Sequence, residues 1–142
     1  MIIKQVSVFL ENKSGRLNEV TKILGEAGVN ISAFTIADTS DFGILRMIVS
    51  APDKACATLK QNGFSVQTTD VVLAKTPNKA GSLSKLLAIL QQEEVFIEYM
   101  YAFSMADEGA VTVIRPTRVE YCVEMLQKHQ TELMRADELY RL

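Results

Sequence analysis

The sequence predicts an α+β protein made of two βαββαβ units, each an antiparallel sheet with both helices on one face. Two observations carry this. The chain repeats itself at a fixed offset of 66 residues, and each repeat switches between the two-residue period of strands and the 3.6-residue period of helices in the same order.

The repeat is read by sliding the chain against itself without gaps. Asn12-Lys13-Ser14-Gly15-Arg16-Leu17 falls on Asn78-Lys79-Ala80-Gly81-Ser82-Leu83. In the same register Leu24 falls on Leu90, Val29 on Val95, Ile31 on Ile97, Asp41 on Asp107, Gly43 on Gly109 and Cys56 on Cys122. One register held over so long a stretch points to duplication. The join lies near Thr69-Asp70, which gives repeats at 1–69 and 70–142. No Pro, Gly or Ser-rich linker separates them, so the two are expected to pack or share a sheet and act as one body.

Residues 2–10 alternate around Val6, Val8 and Leu10, the pattern of a strand with one buried face. A loop from Glu11 to Gly15 follows. From Arg16, the positions Leu17, Val20, Ile23, Leu24 and Ala27 recur at helical spacing, and Gly28 sits where a left-handed helix stop is wanted. Val29–Ala37 is β-branched and aromatic. With Gly43–Val49, across the turn Asp38-Thr39-Ser40-Asp41, it reads as a hairpin. A second helix follows Pro52-Asp53, with Ala55, Cys56 and Leu59 inward and Asn62-Gly63 as its stop, before a strand from Phe64.

The second repeat gives strand Val71–Lys75, helix Leu83–Gln91, strands Val95–Phe103 and Ala110–Ile114, and helix Arg118–Gln127. Glu132-Leu133-Met134-Arg135 is the candidate last strand. This order is the split βαβ, or ferredoxin-like, arrangement. One sheet face then has no helical cover. Phe34, Ile36, Met47 and the Met100/Tyr101 pair are candidates to line it, which makes a homodimer the expected assembly.

Composition bounds the function. The chain has 142 residues, a net charge of −2 with both signs interspersed, and 48% hydrophobic residues. That balance supplies a core but no basic stripe, which argues against nucleic-acid binding. No apolar run approaches a membrane span, and the amino terminus reads as a strand, so the expected location is cytoplasmic. Cys56 and Cys122 are too far apart for a metal or redox motif and read as small core residues at corresponding helix positions. His129, the single histidine, lies near the end of the last helix without a carboxylate and hydroxyl arrangement that would make it a base, and Glu93-Glu94 reads as a solvated helix end. No catalytic or metal-ligating set emerges.

A strand, then Asn12-Lys13-Ser14-Gly15-Arg16-Leu17, an amphipathic helix, and Gly28-Val29-Asn30-Ile31 resembles the ACT domain, a regulatory module of amino-acid biosynthesis. The resemblance covers essentially the whole chain twice. It implies an amino-acid-binding regulatory protein, not an enzyme, with no cofactor and with a free amino acid as ligand between ACT units. The glycine lets the backbone approach a ligand, and the free N–H groups of the first helical turn suit its carboxylate.

Carried onto this sequence, the resemblance nominates Asn12, Lys13, Ser14, Gly15, Arg16 and Leu17 with Asn30 and Ile31, and Asn78, Gly81, Ser82 and Leu83 in the second repeat. Glu94-Val95-Phe96-Ile97 stands where the first repeat has Gly28-Val29-Asn30-Ile31, which places the better site in the first repeat. Leu17, Ile31 and Phe34 suggest a hydrophobic lining.

Two other functions fit the same scaffold. One is a regulatory subunit that docks on a partner enzyme such as acetolactate synthase, whose small subunit also carries ACT domains. The other is an acylphosphatase-like enzyme using Arg16 and Asn30, since this fold hosts unrelated activities.

Overall fold

The alternation at the start of the chain forms strand β1 (Ile2–Glu11), in which Val6, Val8 and Leu10 are buried. In the computed structural model, which describes residues 1–11, 14–38, 41–105 and 109–140 with Asp38 by its backbone only, it is followed by helix α1 (Arg16–Glu26), strands β2 (Ile31–Asp38) and β3 (Phe42–Val49), helix α2 (Pro52–Gln61) and strand β4 (Ser65–Thr76). The second repeat continues with α3 (Ser82–Gln92), β5 (Ile97–Met105), β6 (Gly109–Pro116), α4 (Val119–Lys128), a two-residue β7 (Glu132–Leu133) and a short helix α5 (Ala136–Leu139). The chain folds as two compact units, one built chiefly from Lys4–Thr69 and the other from Asp70–Leu139 with Met1–Ile3. Their boundary falls inside β4, so the covalent link between them is a strand and not a loop.

In the first unit β3 lies between β1 and β2 with antiparallel pairing on both sides. Val6 and Val8 of β1 face Met47 and Leu45 of β3. Those residues join Val20 and Leu24 of α1, Ala55 and Leu59 of α2, and Phe64 in one core. Removing a side chain such as Leu24 from water contributes about 1.5–3 kcal/mol, so helix burial and not intrinsic propensity holds these short helices. The second unit repeats the plan in the order β7-β4-β6-β5, around Val72, Leu86, Leu90, Ile114, Cys122 and Leu126. No helix among the described residues is long and apolar enough to cross a membrane.

The 66-residue register holds only as far as the second hairpin. Gly15 and Gly81, which precede α1 and α3, are 66 apart, but Pro52 and Val119, which begin α2 and α4, are 67 apart. Strand pairing locates the change. Val6 faces Met47 whereas Val72 faces Ile114, so one residue has been inserted ahead of β6. The equivalences proposed for Gly43 with Gly109 and Cys56 with Cys122 are therefore off by one. Cys122 occupies the fully buried place of Ala55, while Cys56 is only half-buried at the edge of its core.

The assignment of the uncovered sheet face also changes. Phe34 and Ile36 sit opposite Met47 and Leu45, and directly opposed antiparallel residues share a face. Met47 and Leu45 belong to the helix-covered core, and Met100 packs against the second core. The face of the first unit's sheet turned away from its helices instead carries buried Ala33 and Ile48 and the exposed rings of Phe9 and Phe42, 5.3 Å apart.

The second unit keeps the first unit's backbone turns without its glycines. Gly28 and Gly63 have φ of +76° and +83°, and their counterparts Glu94 and Gln130 take φ of 56° and 61°. A side chain in that region costs free energy that glycine avoids. After β7, Met134 donates its N–H to the Leu73 carbonyl at 2.8 Å, and Lys75, almost fully buried, pairs with Glu138 at 2.8 Å and Glu132 at 3.4 Å.

Two outcomes follow. Glu94→Gly should raise stability in urea by about 0.5–1 kcal/mol, because it removes the left-handed strain; an unchanged or lower midpoint would contradict this. Lys75 holds the Glu138 carboxyl below its ordinary value of 4.5, chiefly by its hydrogen bond. The pair therefore stabilises the fold above that pH and stops doing so as pH falls through the lowered value. Glu138→Gln should accordingly be less stable at neutral pH and lose less stability on acidification, read from urea midpoints across the acid range.

Candidate functional site

The residue immediately before α1 is left-handed. Gly15 has φ 85° and ψ −6°, and its carbonyl accepts the Glu19 N–H at 2.9 Å, which begins α1. No side chain among the described residues caps this start. The N–H groups of the first turn have no acceptor within a helix, and together with the helix dipole they favour an anion. Asn12 and Lys13 lie outside the described residues, and Ser14 is exposed beside the turn.

Next to this helix start is an apolar cavity of about 160 Å³ lined by Leu17, Thr21, Ile31, Phe34, Leu45 and Met47. Its origin is local. Leu17 and Thr21 are one turn apart on α1, Ile31 and Phe34 come from the edge strand β2, and Leu45 and Met47 of β3 are core residues. Thr21 is the only polar side chain of the six, and its hydroxyl already donates to the Asn18 carbonyl at 2.9 Å. A cavity of this size and character holds a hydrocarbon group of a few carbons. Leu17, Phe34 and Ile36 at or near its mouth are 37%, 62% and 43% exposed.

Leu17, Ile31 and Phe34 thus line one cavity, and Gly15 lies two residues before Leu17 at the start of α1. Asn30 is exposed, and its backbone is braced by Ser50, whose hydroxyl accepts the Asn30 N–H and whose N–H donates to the Asn30 carbonyl, both at 2.9 Å. Arg16 is engaged elsewhere. Its guanidinium lies over the Phe64 ring, 4.5 Å from the centroid, and Nη1 pairs with Glu19 at 3.1 Å, while Nε is buried with no partner.

In the second unit Gly81 repeats the left-handed turn with φ 90°, again with no side-chain cap. Asn78 and Leu83 are exposed and Ser82 is buried. Phe96, in place of Asn30, is 71% exposed.

Burial pushes the Cys122 thiol up to about 11 and raises that of Cys56, so both stay protonated at neutral pH. No group of three His, Cys, Asp or Glu side chains that could hold a metal occurs among the described residues. Glu93 and His129 depart from the sequence reading. His129 Nε2 lies 2.9 Å from a Glu93 carboxylate oxygen, and Lys128 Nζ lies 3.3 Å from the same atom. These bonds, the histidine's first, lower the Glu93 pKa. Glu93 thus ties the end of α3 to the end of α4, with Tyr121 donating its hydroxyl to the Glu93 carbonyl at 2.7 Å.

Two βαββαβ units, each entering its first helix through a left-handed glycine, define a tandem regulatory module, and the chain belongs to the ACT domain pair family, whose model matches residues 1–142. Among solved structures it is similar to protein BT0572 from Bacteroides thetaiotaomicron, with 51% identity over 100% of this chain and 98% of that one and a TM-score of 0.94. It also shares the fold of the ligand-free regulatory subunit of aspartate kinase from Thermus thermophilus, at 17% identity over 89% and 91% of the two chains and a TM-score of 0.66. The corresponding subunit from Thermus flavus matches at 15% identity over 88% and 90%, with a TM-score of 0.59. No curated protein matches the chain.

Because Arg16 is held by Phe64 and Glu19, Arg16→Ala should cost about 1 kcal/mol of stability through lost stacking and stem packing. Chemical denaturation of the folded variant checks this, and an unchanged midpoint would show the stack to be inconsequential.

Proposed function

We propose that the chain is a non-catalytic sensor of a free amino acid, bound at the start of α1 in the first unit. The observation that carries this reading is the adjacency of two complementary surfaces. The first-turn N–H groups after Gly15 suit a carboxylate, and the apolar cavity walled by Leu17, Ile31 and Phe34 suits an aliphatic side chain. The exposed Asn30 amide is close in sequence to Ile31 and offers an acceptor for the ammonium group.

On this reading the ligand sits at an interface between ACT units. The exposed apolar side chains near the cavity mouth, Leu17, Phe34 and Ile36, are the surface that an ACT unit of a second copy covers, in a homodimer. The reading places the protein in the cytoplasm, where it reports a metabolite pool by a change in stability or assembly. Membership of the ACT domain pair family supports the regulatory role.

Thermal unfolding of the full chain against each proteinogenic amino acid tests the proposal. A ligand at a hundredfold excess over its Kd stabilises the folded state by about 2.7 kcal/mol, roughly 5–10 °C in Tm for a protein of this size. One amino acid, or a small chemically related set, should raise Tm, and Leu17→Asp should abolish the response while leaving the melt cooperative. If millimolar concentrations of every amino acid leave Tm unmoved, the proposal fails.

A further inference from the structure

We propose that the second unit holds a separate anion site, shaped for the phosphoryl group of a small metabolite, in a cavity of about 370 Å³ between the start of α3 and the segment after α4. The proposal is independent of the amino-acid reading, because it concerns the other unit and another ligand class.

The comparison between the two units carries it. In the first unit the equivalent space is filled by its own side chains, since Arg16 stacks on Phe64 and pairs with Glu19. Structural equivalence puts Ser82 in the place of Arg16, as each is the first residue of its helix. It puts Lys85 in the place of Glu19 and Thr131 in the place of Phe64, where the N–H groups of Phe64 and Thr131 close the same turn onto Leu59 and Leu126. A cation, a ring and a carboxylate have thus become a serine, a threonine and a lysine. The plug is gone and the charge at the carboxylate position is reversed.

What remains is a cavity lined by Lys75, Lys79 and Lys85 against a single carboxylate, Glu132. Lys75 is already paired with Glu138 and Glu132, whereas Lys79 and Lys85 have no carboxylate partner among the described residues. Ser82 is 8% exposed and lines the cavity, and its hydroxyl has no partner among the described residues. That hydroxyl is open to the cavity and free to donate to an acceptor entering it. The helix behind it starts at Gly81 with no side-chain cap.

The donor set selects the anion. Ammonium point charges, a hydroxyl and a helix start, converging from different sides of the cavity, suit the several oxygens of a tetrahedral oxyanion. Leu86 and Ile89 supply an apolar wall for the carbon part of a phosphate monoester.

Titration calorimetry of the full chain at low ionic strength tests this with three probes: inorganic phosphate, glycerol 3-phosphate and malonate. The two phosphates should bind saturably and weaken with added salt, and malonate should bind less tightly. Lys85→Glu should weaken the phosphates by about tenfold or more, as expected for loss of a charge-assisted hydrogen bond. Ser82→Arg, which restores the bulk present in the first unit, should abolish binding. Lys85→Gln, a change at an exposed position, keeps the test available if either other variant misfolds by circular dichroism, and it should weaken binding in the same direction. Absence of saturable phosphate binding, affinity unchanged in the folded lysine variants, or malonate binding as tightly as the ester would each overturn the proposal.

Discussion

The left-handed glycine that stands immediately before the first helix of each unit is the constraint on which the rest depends. Gly15 and Gly81 are each the left-handed residue immediately before a helix, and neither helix start has a side-chain cap among the described residues. A residue with a Cβ is disfavoured in this conformation. The turn sets where the first helical turn lies over the sheet, and in α3 the first N–H, that of Ser82, is already donated to the Lys79 carbonyl at 3.2 Å. Cavity and local charge are consequences of what the neighbouring side chains then do.

The repeats solve this shared problem with different surroundings. In the first unit the turn meets an apolar cavity on the β2 side of α1, while the other flank is sealed by Arg16 on Phe64. In the second unit that flank is open and lysine-lined, and Phe96 replaces the asparagine that follows the helix. The second unit also adopts its turns at Glu94 and Gln130 without glycine. Duplicated backbone geometry has thus outlasted duplicated chemistry, which is expected when burial fixes the backbone and surface side chains vary freely.

Much of the fold was legible in the sequence because its signals are local. Alternation gave β1, helical spacing of Leu17, Val20 and Leu24 gave α1, and the glycine turns marked where each helix begins and ends. The apolar lining by Leu17, Ile31 and Phe34 was legible too, since helix and strand periods place them on facing surfaces. What escaped depends on pairing between distant segments. A one-residue insertion near the second hairpin shifts Cys122 into the place of Ala55, and an ungapped comparison cannot register it. The face to which Phe34 and Met100 belong is decided by cross-strand register. The contact of Glu93 with His129 joins residues far apart in the chain, and the Arg16–Phe64 stack needed the fold to become visible.

The central claim is that the helix start after Gly15 receives the carboxylate of a free amino acid. Nitrogen–proton correlation spectra of the isotopically labelled full chain, titrated with the amino acid that most raises Tm, address it directly. The account predicts that the amides of Arg16, Leu17 and Asn18 move most, together with the methyl groups of Leu17 and Ile31. Saturating shifts confined to other parts of the chain, with those amides unmoved, would contradict it.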